Sequence, residues 1–200
     1  MFCEGDMKTC HKMFIKVTII FFIFSWIVLV TKPVSAQSSE DNLNTCISLI
    51  IGTKQLNIED WDFVAGQKAF GVDIGFSIKK WPVNVVTGFI HSQDKIINLN
   101  VKNLALTNEY FLGIRKEWGS FLGLHLTGGV SVVNARVEGW DGNDSGTGVG
   151  PMFDAGINIP LFKNFKLGCL YRYSHAQANI LGTSTKLGGE FYLFSIGYQW

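Results

Sequence analysis

The sequence predicts an all-β chain that closes as an eight-stranded antiparallel up-and-down transmembrane β-barrel. Three observations point there. From residue 46 onward, segments of about ten residues alternate between apolar and polar or small side chains, the dyad signature of a membrane-spanning strand. The links between segments are alternately short and long, as when one rim carries tight turns and the other carries loops. The charges fall on one face of the alternation, and the other face is nearly free of them, the inverse of a soluble barrel with an apolar lumen.

The first 36 residues are of another kind. Lys12 and Lys16 precede the apolar run Val17–Val30, and Val34-Ser35-Ala36 then places small residues at −3 and −1 of a cleavage site. Residues 1–36 are expected to be a secretory signal, with translation starting at Met1 or Met13, and residues 37–200 the barrel domain. A retained membrane anchor is the rival reading, but the run is shorter than the roughly 20 residues a spanning helix needs. Cys3 and Cys10 lie in the leader, leaving Cys46 and Cys169. These fall on strands that are not neighbours, so no bridge is expected.

The elements follow in order. A first strand is expected near Cys46–Gln55. In the second, Phe70, Val72, Ile74, Phe76 and Ile78 oppose Gly71, Asp73, Gly75 and Ser77. A third lies near Val83–His91. The fourth sets Tyr110, Leu112 and Ile114 against Glu109, Gly113 and Arg115. The fifth sets Leu122, Leu124 and Leu126 against Gly123, His125 and Thr127. The sixth sets Phe153, Ala155, Ile157 and Ile159 against Met152, Asp154, Gly156 and Asn158. The seventh sets Phe165, Leu167, Cys169, Tyr171 and Tyr173 against Lys166, Gly168, Arg172 and Ser174. In the last, Tyr192, Phe194, Ile196, Tyr198 and Trp200 alternate with Ser195, Gly197 and Gln199. Residues 79–82, 118–120 and 162–164 read as short turns. Residues 56–67, 92–106, 133–149 and 177–188 read as longer links. Within the third of these, Gly142–Gly150 reads as a polar surface loop.

An eight-stranded barrel is just wide enough to be filled by side chains. The inward polar set is Lys54, Asp73, Glu109, Arg115, His125, Asp154, Lys166 and Arg172, with Asn158 beside it. Charges enclosed in such a lumen need partners, so a salt-bridged interior network is expected. A narrow ion or proton path is the alternative use of the same residues. Trp81, Trp118 and Trp200 fall at strand ends, where an interfacial aromatic girdle belongs. Basic and acidic residues are nearly balanced, 17 against 16, with no basic cluster, so nucleic acid is not an expected partner. The four histidines form no close pair, and neither a metal nor a cofactor is expected.

The ending Phe194-Ser-Ile-Gly-Tyr-Gln-Trp200 resembles the terminal aromatic signature of bacterial outer-membrane proteins. Tyr171-Arg-Tyr-Ser-His175, followed by Leu187-Gly-Gly189, looks like the last hairpin of small OmpA/OmpX-like barrels. That resemblance implies a bacterial outer-membrane location after Sec-type export, lipids and lipopolysaccharide as surroundings, and the barrel-assembly machinery as a transient partner. A monomer is expected. The same hairpin has a second, weaker likeness, to the outer-membrane lipid A 3-O-deacylases. These place a His-x-Ser pair on strand seven and a Glu on the last strand. His175 matches the His and Glu190 approximates the acid, but Gln177 stands where the nucleophile should be. The expected function is a non-catalytic structural or interaction barrel that displays its loops. A lipid A hydrolase or degenerate relative, and a narrow solute channel, are the alternatives.

Overall fold

A computed structural model of the chain describes residues 43–57, 61, 65–78, 81–98, 101–119, 122–139, 142–162 and 164–200. The expected leader, residues 1–36, lies outside the described residues. The strands are β1 (Leu43–Gln55), β2 (Gly66–Ile78), β3 (Asn84–Asn98), β4 (Val101–Trp118), β5 (Gly123–Gly139), β6 (Gly142–Pro160), β7 (Phe165–Ser174), β8 (Gln177–Ile180), β9 (Thr183–Lys186) and β10 (Gly189–Gln199). Eight of them close a barrel in the order β1-β10-β7-β6-β5-β4-β3-β2, every pair antiparallel. The remaining two, β8 and β9, pair as a separate hairpin within the link from β7 to β10.

Side-chain alternation decides which way each strand faces. On β4 the residues Tyr110, Leu112 and Ile114 point out and are more than half exposed, while Glu109, Phe111 and Arg115 point in and are buried. On β10, Tyr192, Phe194, Ile196 and Tyr198 point out, and Phe191 and Leu193 point in. The outer surface is therefore a continuous apolar and aromatic belt. The lumen holds the charges.

Closure depends on the first and last strands. They run in register from Cys46 opposite Gln199 to Gln55 opposite Glu190, and Thr45 and Trp200 exchange two backbone hydrogen bonds of 3.1 and 3.0 Å at the rim. Trp81, Trp118 and Trp200 stand exposed at this same rim, beside the short turns. Cys46 and Cys169 are both free, the first facing the lumen and the second on the outer face.

The expected links 92–106 and 133–149 are corrected by the structure. Their described residues belong to strands: β3 and β4 stay paired up to Asn98 opposite Val101, and β5 and β6 up to Gly139 opposite Gly142. The polar composition that reads as loop marks strand that has risen past the apolar belt. Outward-facing His91 bonds Asn108 across strands at 2.8 Å, and Asn134 donates to Thr147 at 2.9 Å. The β3–β4 arm extends five residues past the last β2 partner of β3 at Gln93, roughly 17 Å at strand rise.

Gly142–Gly150, expected as a surface loop, is the first half of β6. Its glycines recur at alternate, inward positions because the β8–β9 hairpin lies against that face. A Cβ on Gly146 would come within 2.9 Å of the Ala178 Cβ, and one on Gly148 would strike the Gln177 backbone. At the hairpin tip Leu181 and Gly182 both adopt positive φ, 51° and 79°, as a two-residue turn between right-twisted strands requires. Asp144 on β6 holds this tip: its Oδ2 accepts the Leu181 N–H at 2.6 Å, and its Oδ1 accepts the Ser145 N–H at 2.7 Å.

Two predictions arise. Replacing Gly148 with Val should push the hairpin off β6 at a cost of about 1–3 kcal/mol. Hydrogen exchange would show lost protection over residues 176–187 with the barrel ladders unchanged. Second, the two backbone donors hold the Asp144 carboxyl below the usual carboxylate range. A depressed carboxylate stabilises the fold above its ordinary pKa and loses that contribution as pH falls through the lowered one. Tip protection should therefore persist at neutral pH and fade only under about pH 4. In Asp144→Asn the tip should be less protected at neutral pH, and the fading under acid should be absent.

Candidate functional site

The lumen is built in layers, each supplied by inward positions of several strands. Nearest the short-turn rim is a polar cavity of about 80 Å³, whose lining includes Cys46, Ser48, Glu117, His125, Asn158 and Lys166. Next comes a cluster of two carboxylates and two guanidinium groups. The Arg115 Nη2 donates to Asp73 Oδ2 at 2.6 Å, its Nη1 to Oδ1 at 3.5 Å, and its Nε to the Thr127 hydroxyl at 3.0 Å. Arg172 Nη2 donates to Asp154 Oδ2 at 2.9 Å, and that oxygen lies 4.0 Å from Arg115 Nη2. His125 Nε2 sits 3.7 Å from the other Asp154 oxygen, and its Nδ1 is 3.2 Å from the Asn158 amide. The charges cancel within the cluster. Cancellation and bidentate geometry are what allow ions to be carried in a water-poor lumen.

Above the cluster lies an apolar layer of Ile50, Ala69, Ile90, Phe111, Met152, Leu170, Phe191 and Leu193. Arg172 stacks on Phe111, 3.8 Å from the ring centre. A second polar layer follows. Lys54 Nζ donates to Thr107 Oγ1 at 3.0 Å and to the Leu187 carbonyl at 2.9 Å, and Thr107 donates to Gln67 at 3.0 Å. The Ser174 hydroxyl donates to Glu109 at 2.9 Å. Over this sits an apolar cap of Leu56, Trp61, Ala65, Ala105, Val133, Ala135, Ala176, Ile180 and Leu187. The Trp61 indole N–H donates to the Lys186 carbonyl at 2.6 Å, tying the β1–β2 link to the end of β9. Two apolar layers thus interrupt the polar lumen.

The structure brings Asp73, Arg115, His125, Asp154 and Arg172 together in one cluster and sets Lys54 and Glu109 in a separate layer above it. Lys166 lies apart from both, on the cavity wall. Thr107, the partner of Lys54, and Gln67 behind it are not among the residues singled out from sequence: Gln67 closes the segment 56–67 that reads as a link, and Thr107 directly follows the segment 92–106 that reads as another. Their alternation with the outward Lys68 and Asn108 was the available signal.

On the outer face, His175 and Glu190 project at the long-loop end of β7 and β10. The His175 ring contacts the Tyr173 hydroxyl at 3.5 Å and the Gln177 amide at 3.4 Å. Glu190 accepts the Tyr192 hydroxyl at 3.0 Å. Ser174, the nearest serine in sequence, points into the lumen and is occupied by Glu109. Among the described residues, no aliphatic hydroxyl is hydrogen-bonded to His175, and no hydrogen bond or ion pair joins it to Glu190. The geometry is that of interfacial polar groups flanked by the tyrosine pair Tyr171 and Tyr192, whose rings are 5.4 Å apart.

This architecture defines a class: the chain has the fold of the small eight-stranded outer-membrane barrels. Three solved structures carry that likeness. The N-terminal barrel domain of Pseudomonas aeruginosa OprF is 12% identical, with a TM-score of 0.55 over 78% of this chain and 97% of its own. Neisserial surface protein A is 11% identical, with a TM-score of 0.52 over 80% of this chain and 99% of its own. The attachment invasion locus protein Ail of Yersinia pestis, in complex with the heparin analogue sucrose octasulfate, is 12% identical, with a TM-score of 0.53 over 79% and 97%. No protein-family model matches the chain, and no curated protein matches it.

Removing one partner of the ionic cluster is the sharpest test of the lumen. Asp154→Ala removes the one carboxylate paired with Arg172 among the described residues and should cost about 3–5 kcal/mol in urea unfolding from detergent or lipid. Arg136→Ala breaks the exposed 2.8 Å pair with Glu138 on the β5–β6 arm and should cost no more than about 1 kcal/mol. Equal effects would mean that the interior cluster contributes no more than a surface pair.

Proposed function

We propose that this protein is a non-catalytic barrel of the bacterial outer membrane, which presents the β3–β4 and β5–β6 arms to the cell's surroundings. One observation carries the reading. An apolar belt encloses a lumen closed by two apolar layers, and paired, polar strand arms rise beyond the belt on one side only. The belt suits lipid, since inside hydrocarbon every backbone polar group needs an internal partner and a closed ladder supplies one. The sealed lumen favours a structural role over conduction. The interior cluster and the Lys54 layer act as the packing that holds the barrel rigid. The arms, stiffened by cross-strand pairing, are the surface on which lipopolysaccharide or other ligands would be met.

Export completes the reading. Residues 1–36 serve as the leader, the short-turn rim with Trp81, Trp118 and Trp200 faces the periplasm, and the terminal aromatic residues are read by the assembly machinery. The barrel acts as a monomer. The outer hairpin is assigned no reaction, because Gln177 rather than a serine neighbours His175.

Two measurements test this. The folded protein in detergent should migrate differently on a gel before and after boiling, and identical mobility with helical circular dichroism would sink the barrel reading. Protein shown to be folded should leave lipid A mass unchanged on incubation with lipopolysaccharide. Loss of one acyl chain, abolished in His175→Ala, would make the chain a hydrolase and overturn the non-catalytic assignment.

A further inference from the structure

The cavity at the short-turn rim is a part of the lumen that packing leaves unfilled. Its floor is the ionic cluster, where Asp73 and Arg115 are committed to each other. Its wall carries two further charges of opposite sign, Lys166 on β7 and Glu117 on β4, both at inward positions. Among the described residues neither has an ion-pair partner. Ser48, Asn158 and Ser195 line the same cavity. His125, 3% exposed, lines the same space and keeps its Nε2 without a hydrogen-bond partner. A wall that sets one free cation and one free anion around a small polar cavity is complementary to a molecule carrying both charges.

We propose that this cavity binds a small zwitterion of the free amino-acid class, its carboxylate toward Lys166 and its ammonium toward Glu117. The volume of about 80 Å³ accommodates a solute of only a few heavy atoms. The charge pattern rejects a plain anion or cation: each would satisfy one wall and leave the opposite charge uncompensated. The layer of Ile50 and Leu170 bounds the cavity on the inner side, so the solute enters and leaves by the same rim. Under the proposed orientation that rim opens to the periplasm. The binding itself depends only on the barrel fold.

Cys46 makes the site readable. Its thiol faces this cavity, 3.8 Å from the Ser48 hydroxyl, whereas Cys169 faces outward from the barrel. The test alkylates the folded barrel in detergent with iodoacetamide and follows both cysteines by peptide mass spectrometry, with glycine as the probe solute. Glycine at millimolar concentration should slow alkylation of Cys46 severalfold and saturably, with Cys169 unaffected. Acetate or methylammonium alone should not protect. Lys166→Gln and Glu117→Gln, each checked for heat-modifiable mobility, should abolish protection. The half-ligand comparison stands on the unaltered protein should either variant fail to fold. Protection by acetate that survives Glu117→Gln would reveal an anion site and overturn the proposal. Free alkylation of Cys46 at every glycine concentration would overturn it as well. So would a Cys46 that never reacts, since the cavity would then be closed to solutes of this size.

Discussion

The β1–β10 ladder is the contact on which the rest of the molecule depends. A sheet of eight strands has two edges, and each edge is a row of unpaired N–H and C=O groups. In an apolar surround those groups have no water to turn to, so the sheet is stable there only when closed. Register from Cys46–Gln199 to Gln55–Glu190 removes both edges at once. It also fixes which residues face in. A slip of one residue would send Lys54 toward the belt and Ile51 or Thr53 into the lumen.

Closure at eight strands sets the second constraint. The lumen has the width of interdigitating side chains. Charges placed there cannot be solvated, and they must cancel locally. Asp73–Arg115 and Asp154–Arg172 do so within one layer, and Arg172 gains a further contact with the face of Phe111. The apolar layer above the cluster and the cap around Trp61 and Leu187 then divide the lumen into compartments. The compartment at the short-turn rim keeps free volume beside Lys166 and Glu117, neither of which is ion-paired among the described residues.

At the opposite rim the chain spends its glycines on docking. The alternate glycines of β6 form a flat track for β8, and Asp144 pins the hairpin tip. This arrangement fills the mouth between the arms with Ile180 and Leu187. The His175–Glu190 region beside it is lined by tyrosines and by the Gln177 amide, which hydrogen-bond its polar groups.

The sequence by itself determined the barrel. A period of two with charges on one face and aromatic residues on the other identifies the strands, the face each presents, and the inward position of Asp73, Arg115, Asp154 and Arg172. Local alternation is a property of the backbone pleat, so it survives without knowledge of neighbours. Tertiary structure alone decided what depends on which strands meet. Residues 92–106 and 133–149 look like loops because, above the belt, neither face needs to be apolar, and the hydrophobic period disappears while the ladder continues. The glycines of 142–150 look like flexibility until β8 is placed on them. Partner choice in the lumen, with Lys54 joined to Thr107 and Arg115 joined to Asp73, follows from strand order and stagger around the closed barrel. Alternation can say that a side chain points inward. Only closure says what it meets there.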